Sequence, residues 1–299
     1  MPRARWTAAC LLAVTATTVA CEINIDREGY IEREEKRYPA EGVVDVHLYT
    51  FDGQVEIRSW DRAEVLVEVE KRGQDKDAVS KIQVVADRTG KRIQVEARHP
   101  GGRTVFIGIG SHRSPSARLI ATVPRKTNLV VRSGDGSIVA ERVDGRLELR
   151  TGDGSIRATE TAGELLAETG DGSIQLDEIA GRVEARTGDG TVRVTGTPTV
   201  LRARSNDGSI VLRIRPGAVM ADDWMVATGD GSVSAELPDG FNAEIECDPG
   251  SDGRARSELT LINVCGGTRE NRVLKGRLGT GGKLFTLRTG DGTIRLMSY

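Results

Sequence analysis

The sequence predicts an all-β chain: a parallel β-solenoid, or β-helix-like stack, of 18-residue Gly-Asp-Gly-Ser-Ile rungs with irregular strand regions before and after it. Three observations carry that prediction. The phrase opens at Gly134, Gly152, Gly170, Gly188 and Asn206, placing Asp135, Asp153, Asp171, Asp189 and Asp207 at a constant spacing of 18. A fixed period of this kind marks stacked repeats, each burying its apolar face against its neighbours. Second, the apolar residues recur in pairs two apart, such as Ile138/Ala140, Ile156/Ala158, Leu147/Leu149 and Leu165/Ala167, the period of a strand with one buried face. Third, glycine reaches 36 of 299 residues and aromatics only 4%, against about 7% glycine in ordinary chains. That composition suits two turns per rung around narrow aliphatic columns. No i, i+3, i+4, i+7 stripe runs through these units, which excludes a helical solenoid.

In chain order, residues 1–20 read as a signal peptide: Arg3 and Arg5, an apolar stretch from Trp6 to Ala20, then Cys21. The apolar stretch is short for a membrane span, which needs about 20 residues, and such leaders lie outside the fold. Cys21 directly after Thr18-Val19-Ala20 reads as a lipidation site, so the chain is expected to be extracytoplasmic and anchored to a bacterial membrane, with plain secretion as the alternative. Residues 21–40, rich in charge (Glu22, Asp26, Glu28, Glu32, Glu34, Glu35, Lys36), suit a tether. Residues 41–299 form one elongated domain.

Within that domain, 43–70 alternates Val44, Val46, Leu48 and Val65, Val67, Val69 with polar residues around a turn at Asp52-Gly53. A short helix or loop is expected at 73–81, strands near 82–86 and 92–97, and a long loop over 99–116 holding one apolar strand, Val105 to Ile109. The regular repeats occupy about 130–236. In them Asp-Gly after a Gly supplies positive-φ positions for one turn, and Asp144-Gly145, Ala162-Gly163, Ala180-Gly181 and Gly196-Thr197-Pro198 supply the other. Rungs of a solenoid and hairpins of a meander both satisfy this pattern; the fixed period favours the solenoid. The phrase returns at Gly229–Val233 and Gly290–Ile294, out of step. A turn-rich stretch covers 238–256, and strands are expected at 258–264, 272–278 and 283–296. Trp60 and Trp224 are expected to cap apolar ends.

Chemistry is thinly signalled. Stacked aspartates would stand about 4.8 Å apart, where full charges repel by about 0.9 kcal/mol in water. Three things could offset this: side-chain bonds to turn N–H groups, the arginines three residues earlier (Arg132, Arg150, Arg186, Arg204, interrupted by Glu168), or Ca²⁺ held by Asp135, Asp153, Asp171, Asp189 and Asp207, since that cation takes carboxylate oxygens. The first two are the leading reading, and no cofactor is required. Ser137, Ser155, Ser173, Thr191 and Ser209 read as a hydroxyl ladder rather than nucleophiles, because a catalytic residue is unique and a stacking residue recurs. His47, His99 and His112 share no metal-ligand spacing. Cys247 and Cys265, an even pair in an oxidising compartment, read as a disulfide contributing about 3 kcal/mol for a loop of about 17 residues. Without residues 1–20 the formal charge moves from −2 to −4 (−2 minus 2, for Arg3 and Arg5), which gives no support to nucleic-acid binding.

The leader with Cys21, the Val55-Glu56-Ile57-Arg58-Ser59-Trp60-Asp61 strand and the recurring Gly-Asp-Gly-Ser-Ile turns together resemble a bacterial candidate-adhesin family of unknown function with β-strand repeats. The family occurs in secreted and lipid-anchored envelope proteins. That resemblance implies a parallel β-helix-like fold without known catalytic residues. The expected function is therefore non-enzymatic: an envelope lipoprotein whose rigid solenoid offers an adhesion, scaffold or sensing surface to a protein or glycan partner. A carbohydrate-active β-helix enzyme and a calcium-stabilised surface protein are the alternatives.

Overall fold

The computed structural model describes residues 19–26 (backbone path), 29–99, 114–266 and 272–299. The expected leader before Val19, the Val105–Ile109 strand and His112 lie outside the described residues, as does the side chain of Cys21. Two strands open the chain, β1 (Val19–Asp26) and β2 (Gly29–Pro39), followed by β3 (Val44–Thr50), β4 (Val55–Trp60), β5 (Glu64–Gly73), the short helix α1 (Lys76–Ser80), β6 (Gln83–Thr89) and β7 (Arg92–Arg98). The regular part comprises β8 (Ser116–Pro124), β9 (Thr127–Ser133), β10 (Ile138–Glu141), β11 (Asp144–Thr151), β12 (Ile156–Thr159), β13 (Ala162–Thr169), β14 (Ile174–Thr187), β15 (Val192–Ser205), β16 (Ile210–Ile214), β17 (Trp224–Thr228) and β18 (Val233–Leu237). The last strands are β19 (Ala243–Asp248), β20 (Arg254–Ser257), β21 (Ile262–Cys265), β22 (Leu274–Leu278), β23 (Leu284–Thr289) and β24 (Thr293–Ser298).

These strands build a parallel stack with two faces, as the fixed period predicts. One sheet runs β1–β2–β5–β8–β4–β10–β12–β14–β15–β16–β18–β24–β20. The other runs β6–β7–β3–β9–β11–β13–β14–β15–β17–β23–β19–β22–β21. β14 and β15 belong to both, their first halves in the first sheet and their second halves in the other. The 18-residue offset is literal: Ile138 pairs with Ile156, Ile156 with Ile174, and Leu147 with Leu165.

The core is a set of continuous columns. Val55, Ile138, Ile156, Ile174, Val192, Ile210, Val233 and Ile294 line up on the first sheet, and all are at most 1% exposed. On the second sheet Leu48, Val131, Leu149, Ala167, Ala185, Ala203, Val226, Leu287 and Cys247 form a matching column. Each large aliphatic member contributes about 2 kcal/mol by leaving water, and it does so only when a rung stands on either side.

Space and sequence part company at both ends. The rung β3–β4 lies between β7/β8 and β9/β10, although its residues precede both. The C-terminal rung β23–β24 likewise inserts between β17/β18 and β19/β20. The phrase at Gly290–Ile294 is therefore in column, out of step in sequence alone. The tether expected over 21–40 is corrected from Gly29 onward. β2 pairs antiparallel with β5 through ten register positions from Tyr30↔Gly73 to Pro39↔Glu64, because its alternating charges find partners there (Arg33 with Glu70, Lys71 with Glu32 at 3.1 Å).

Candidate functional site

The turn that carries the repeated phrase stacks as a ladder in its own right. Gly152 N–H donates to Gly134 O at 2.5 Å, Gly170 to Gly152 and Gly188 to Gly170 at the same distance, and Gly290 to Gly229. Positive φ is not what glycine provides here. The positive-φ glycines include Gly145, Gly163, Gly181 and Gly196 at the opposite corner, and none of the phrase glycines. What the phrase requires is close approach: a Cβ on Gly154 would meet Gly136 O at 2.3 Å, and one on Gly172 would meet Gly154 O at 2.1 Å.

The residue before each turn completes the ladder. Thr151 Oγ1 donates to Gly136 O at 2.8 Å, Thr169 to Gly154 O at 2.8 Å, Thr187 to Gly172 O at 2.8 Å, Ser205 to Gly190 O at 3.0 Å and Thr289 to Gly231 O at 2.7 Å. Three of these hydroxyls also accept from the turn: Gly190 N–H donates to Thr187 Oγ1 at 3.3 Å, Gly208 N–H to Ser205 Oγ at 2.9 Å and Gly292 N–H to Thr289 Oγ1 at 3.1 Å. These buried hydroxyls were missed in the sequence, which pointed instead to Ser137, Ser155, Ser173, Thr191 and Ser209 after the turn. Those serve through their backbone, as where Ile138 N–H donates to Ser155 O at 2.9 Å, with Ser209 Oγ also accepting from Ser232 N–H at 3.4 Å. The signal was present: a Thr or Ser stands two before every Asp.

Asp153, Asp171, Asp189 and Asp207 are exposed along one corner. Asp52, Asp230 and Asp291 extend the row, since their turns are in register. Neither expected offset operates for the four central ones. In the Asp189 and Asp207 turns the hydroxyls of Thr187 and Ser205 take a turn N–H group, and the arginines turn to glutamates on the outer sheet face: Arg132 to Glu148 at 3.1 Å, Arg150 to Glu148 at 3.2 Å and to Glu168 at 3.5 Å, Arg186 to Glu184. Exposure to water is what keeps the row tolerable. Asp135, Asp153, Asp171, Asp189 and Asp207 stand in line instead of converging, and among the described residues no group of three His, Cys, Asp or Glu side chains is placed to hold a metal ion. Asp52 departs from the row: burial, with the charge of Asp135 added, raises its carboxyl above the usual range.

Two clefts flank the regular stack. One of about 760 Å³ is lined by Asp52, Gly53, Gln54, Arg72, Gly73, Ser114, Ser116, Asp135, Gly136 and Ser137. The other, about 610 Å³, is built by three loops that break the period at the opposite corner, with Val219, Met220, Asp239, Phe241, Asn242 and Lys283 among its lining. Under it Trp224 is 1% exposed and packs on Phe241 and Phe285 with ring centroids 5.5 and 5.4 Å apart. Trp224 is thus an interior residue, and no end cap. Trp60 is half-buried, its indole N–H donating to Glu64 O at 2.7 Å.

The expected Cys247–Cys265 disulfide is absent; both thiols are free. β22 lies between their strands, with Cys247 opposite Leu274 and Cys265 opposite Lys275. Two strand spacings are about 9.6 Å, beyond the roughly 7 Å a disulfide spans. The partners also alternate, so one cysteine faces the core and the other faces solvent. Burial, with the charge of Glu246, pushes the Cys247 thiol up to about 12. The alternation Ala243, Ile245, Cys247 was the sequence signal for a column residue.

A family model described as Toastrack DUF4097 matches residues 45–297. No curated protein matches the chain. Among solved structures, a candidate cell adhesion protein from Clostridium sporogenes is 11% identical, covering 89% of this chain and 100% of its own, with a TM-score of 0.30. A candidate adhesin from Bacteroides fragilis is 10% identical over 89% of this chain and 97% of its own, TM-score 0.37. A candidate lipid binding protein from Parabacteroides distasonis is 11% identical over 88% and 96%, TM-score 0.41.

Proposed function

The chain belongs to the Toastrack DUF4097 family, and from that premise we propose that it is a non-enzymatic binding protein of the bacterial envelope, held at a membrane through lipidated Cys21 and presenting its rigid stack to a protein or glycan partner. One observation carries this reading. Every reactive-looking group of the repeats recurs in column, and the buried hydroxyls are consumed by the stack's own ladder, Thr151, Thr169 and Thr187 each bonding a glycine carbonyl of the preceding rung. Such a surface is suited to display, because no hydroxyl of the ladder is set apart as a nucleophile.

The test is protease shaving and membrane fractionation of cells carrying wild type or Cys21→Ser. The reading expects membrane-bound wild type and a released Cys21→Ser protein; digestion from outside identifies a surface adhesin, and protection identifies a periplasmic scaffold. Equal release of both removes the anchor. A carbohydrate-active reading rests on one feature, the cleft that holds Asp52 beside Asp135, since a raised carboxyl next to a second carboxylate is the pattern of an acid–base pair. Reducing ends released from a polysaccharide panel by wild type and not by Asp52→Asn would establish it in place of the binding role.

A further inference from the structure

The outer face of the second sheet is divided into two halves that differ in charge balance. Over β9, β11 and β13 each arginine has a carboxylate: Arg132 and Arg150 share Glu148, Arg150 also reaches Glu168, and Arg146 meets Glu164 at 3.7 Å. Over β14, β15, β17 and β23 that balance fails. Arg186 pairs in register with Arg204, Arg204 with Ala227, and Ala227 with Arg288; Arg202 stands two residues from Arg204 on the same face, beside Met225. Arg186 takes Glu184, the carboxylate that stands in register with Arg202, while Glu168 opposite Arg186 meets Arg150; Arg288 reaches Glu246 at 3.9 Å while Lys275 holds it at 3.0 Å. Arg202 and Arg204, both exposed, have no ion pair or side-chain hydrogen bond among the described residues.

Like charges directly across neighbouring strands destabilise a sheet, so the fold gains nothing from setting Arg204 against Arg186. The cluster is also no by-product of a basic chain, whose formal charge is −2. From this juxtaposition we propose that the face carrying Arg186, Arg202, Arg204 and Arg288 binds an anionic polysaccharide lying along the stack axis.

Three features select that occupant. Guanidinium groups present planar forks that match sulfate, phosphate or carboxylate groups in pairs. The rungs set Arg186 and Arg204 about 4.8 Å apart and, past Ala227, Arg288 about 9.6 Å further along the same line, a line along which a linear polymer can lay successive charges. Met225, 53% exposed, and the arginine stems give a flat apolar strip for sugar faces. A membrane-binding surface would instead combine its cations with a broad apolar face that buries in the acyl boundary, and among the described residues of β14, β15, β17 and β23 Met225 is the one large exposed apolar side chain.

The inference rests on the reading of the chain as a binding protein, and its test is separate from the shaving experiment. Whole protein carrying Cys21→Ser is titrated onto immobilised dextran sulfate and onto uncharged dextran of equal length, at low and at raised salt. Binding is expected to dextran sulfate alone, weakening about tenfold or more between 50 and 200 mM salt. Arg202→Ser/Arg204→Ser should weaken it by about tenfold, whereas Arg146→Ser/Arg150→Ser, on the balanced half of the same face, should change it less than about twofold. Arg146, Arg202 and Arg204 are exposed and Arg150 is half-buried, and matched melting curves check that folding is intact. Equal losses in the two double variants, or equal binding to both dextrans, would overturn the proposal. Tighter binding to phosphatidylglycerol vesicles, lost in Arg202→Ser/Arg204→Ser, would also overturn it and assign the face to a membrane. If the protein is shaved from cells but ignores dextran sulfate, the envelope reading stands and this face alone is excluded.

Discussion

The middle of the stack and its two ends solve the same problem with different chemistry. From β9 to β16 each rung follows the last in sequence and in space, and its buried groups meet the equivalent residues 18 positions away: Ile on Ile, a hydroxyl on a glycine carbonyl, glycine against glycine. At the ends the next rung is missing. The chain there brings in distant segments, β3–β4 at one end and β23–β24 at the other, and turns to antiparallel strands beyond them. Beyond β8, the face of β5 that carries Val65, Val67 and Val69 continues into Lys71, 7% exposed and paired with Glu32 and Glu34. Glu70, 5% exposed, is held by Arg33 and Arg72. These charges close on β2, which covers β5 in antiparallel register, so ion pairs take over where the aliphatic columns stop. A period can propagate a stack, and only a departure from it can stop one.

The comparison predicts that the middle breaks by crowding and the cap by charge. Gly172→Ala should be the most damaging change, about 3 kcal/mol or more, because its Cβ would lie 2.1 Å from a backbone carbonyl that the ladder cannot move. Gly240→Ala is the control: its φ is +76° with nothing within 4 Å of the added carbon, so it should cost only the left-handed penalty of about 1–2 kcal/mol. Urea unfolding of the two variants separates them; equal losses would mean that rung-to-rung approach is not what selects glycine in the phrase.

At the cap, Lys71→Met should cost about 2 kcal/mol, less than the roughly 3–5 kcal/mol of breaking a fully buried pair, since Glu32 and Glu34 keep some contact with water. The acid dependence follows the same groups. Burial works to raise the carboxyls of Glu34 and Glu70, but Lys71 with Lys36, and Arg72 with Arg33, outweigh it and hold both below their ordinary value of 4.5. Groups lowered on folding stabilise above the unfolded value and lose that contribution as pH falls through the lowered one. Amide exchange in β2 and β5 should therefore quicken below about pH 4.5 before exchange in β13 and β14 does; simultaneous loss would remove the distinction between cap and middle.

What the sequence made legible follows the same division. The spacing of Asp135 to Asp207, and pairs such as Ile156/Ala158, contain the rung, its faces and its neighbours, because in the middle all contacts are local in the period. The ends are long-range and carry no such mark. Nothing in Gly290–Ile294 says that it inserts before β19, and the charges of 29–39 look solvated until β5 supplies their partners. The cysteines were misread for a related reason: their even number suggested a bond, while β22, which separates them, follows both in the chain. The arginine row was visible as residues, but which arginines lack carboxylates depends on rotamers and register.

A smaller effect tests the ladder itself. Thr169→Val keeps the shape and removes the hydroxyl, leaving Gly154 O without its 2.8 Å donor, which should cost about 1–2 kcal/mol. Thr286→Val, also buried but in β23 outside the hydroxyl column, should cost less. If it costs as much, burial of any threonine matters and the column has no special role.

The smallest prediction has the opposite sign and concerns the corner across from the phrase. Arg142, Glu160 and Glu178 adopt φ values of 56°, 53° and 53°, a left-handed region that costs a non-glycine residue about 1–2 kcal/mol. Ladder bonds hold them there: Arg142 N–H donates to Thr159 O and Glu160 N–H to Asp177 O, each at 2.9 Å. Glycine at 160 would keep those bonds and relieve the side-chain clash, while its freer unfolded chain returns about 0.5–1 kcal/mol. Glu160→Gly should thus stabilise the protein by about 0.5 kcal/mol, read as a raised urea midpoint at unchanged slope. A lowered midpoint would show that the glutamate side chain contributes to the corner, and that this turn, like the phrase, is selected for contacts between rungs and not for backbone conformation.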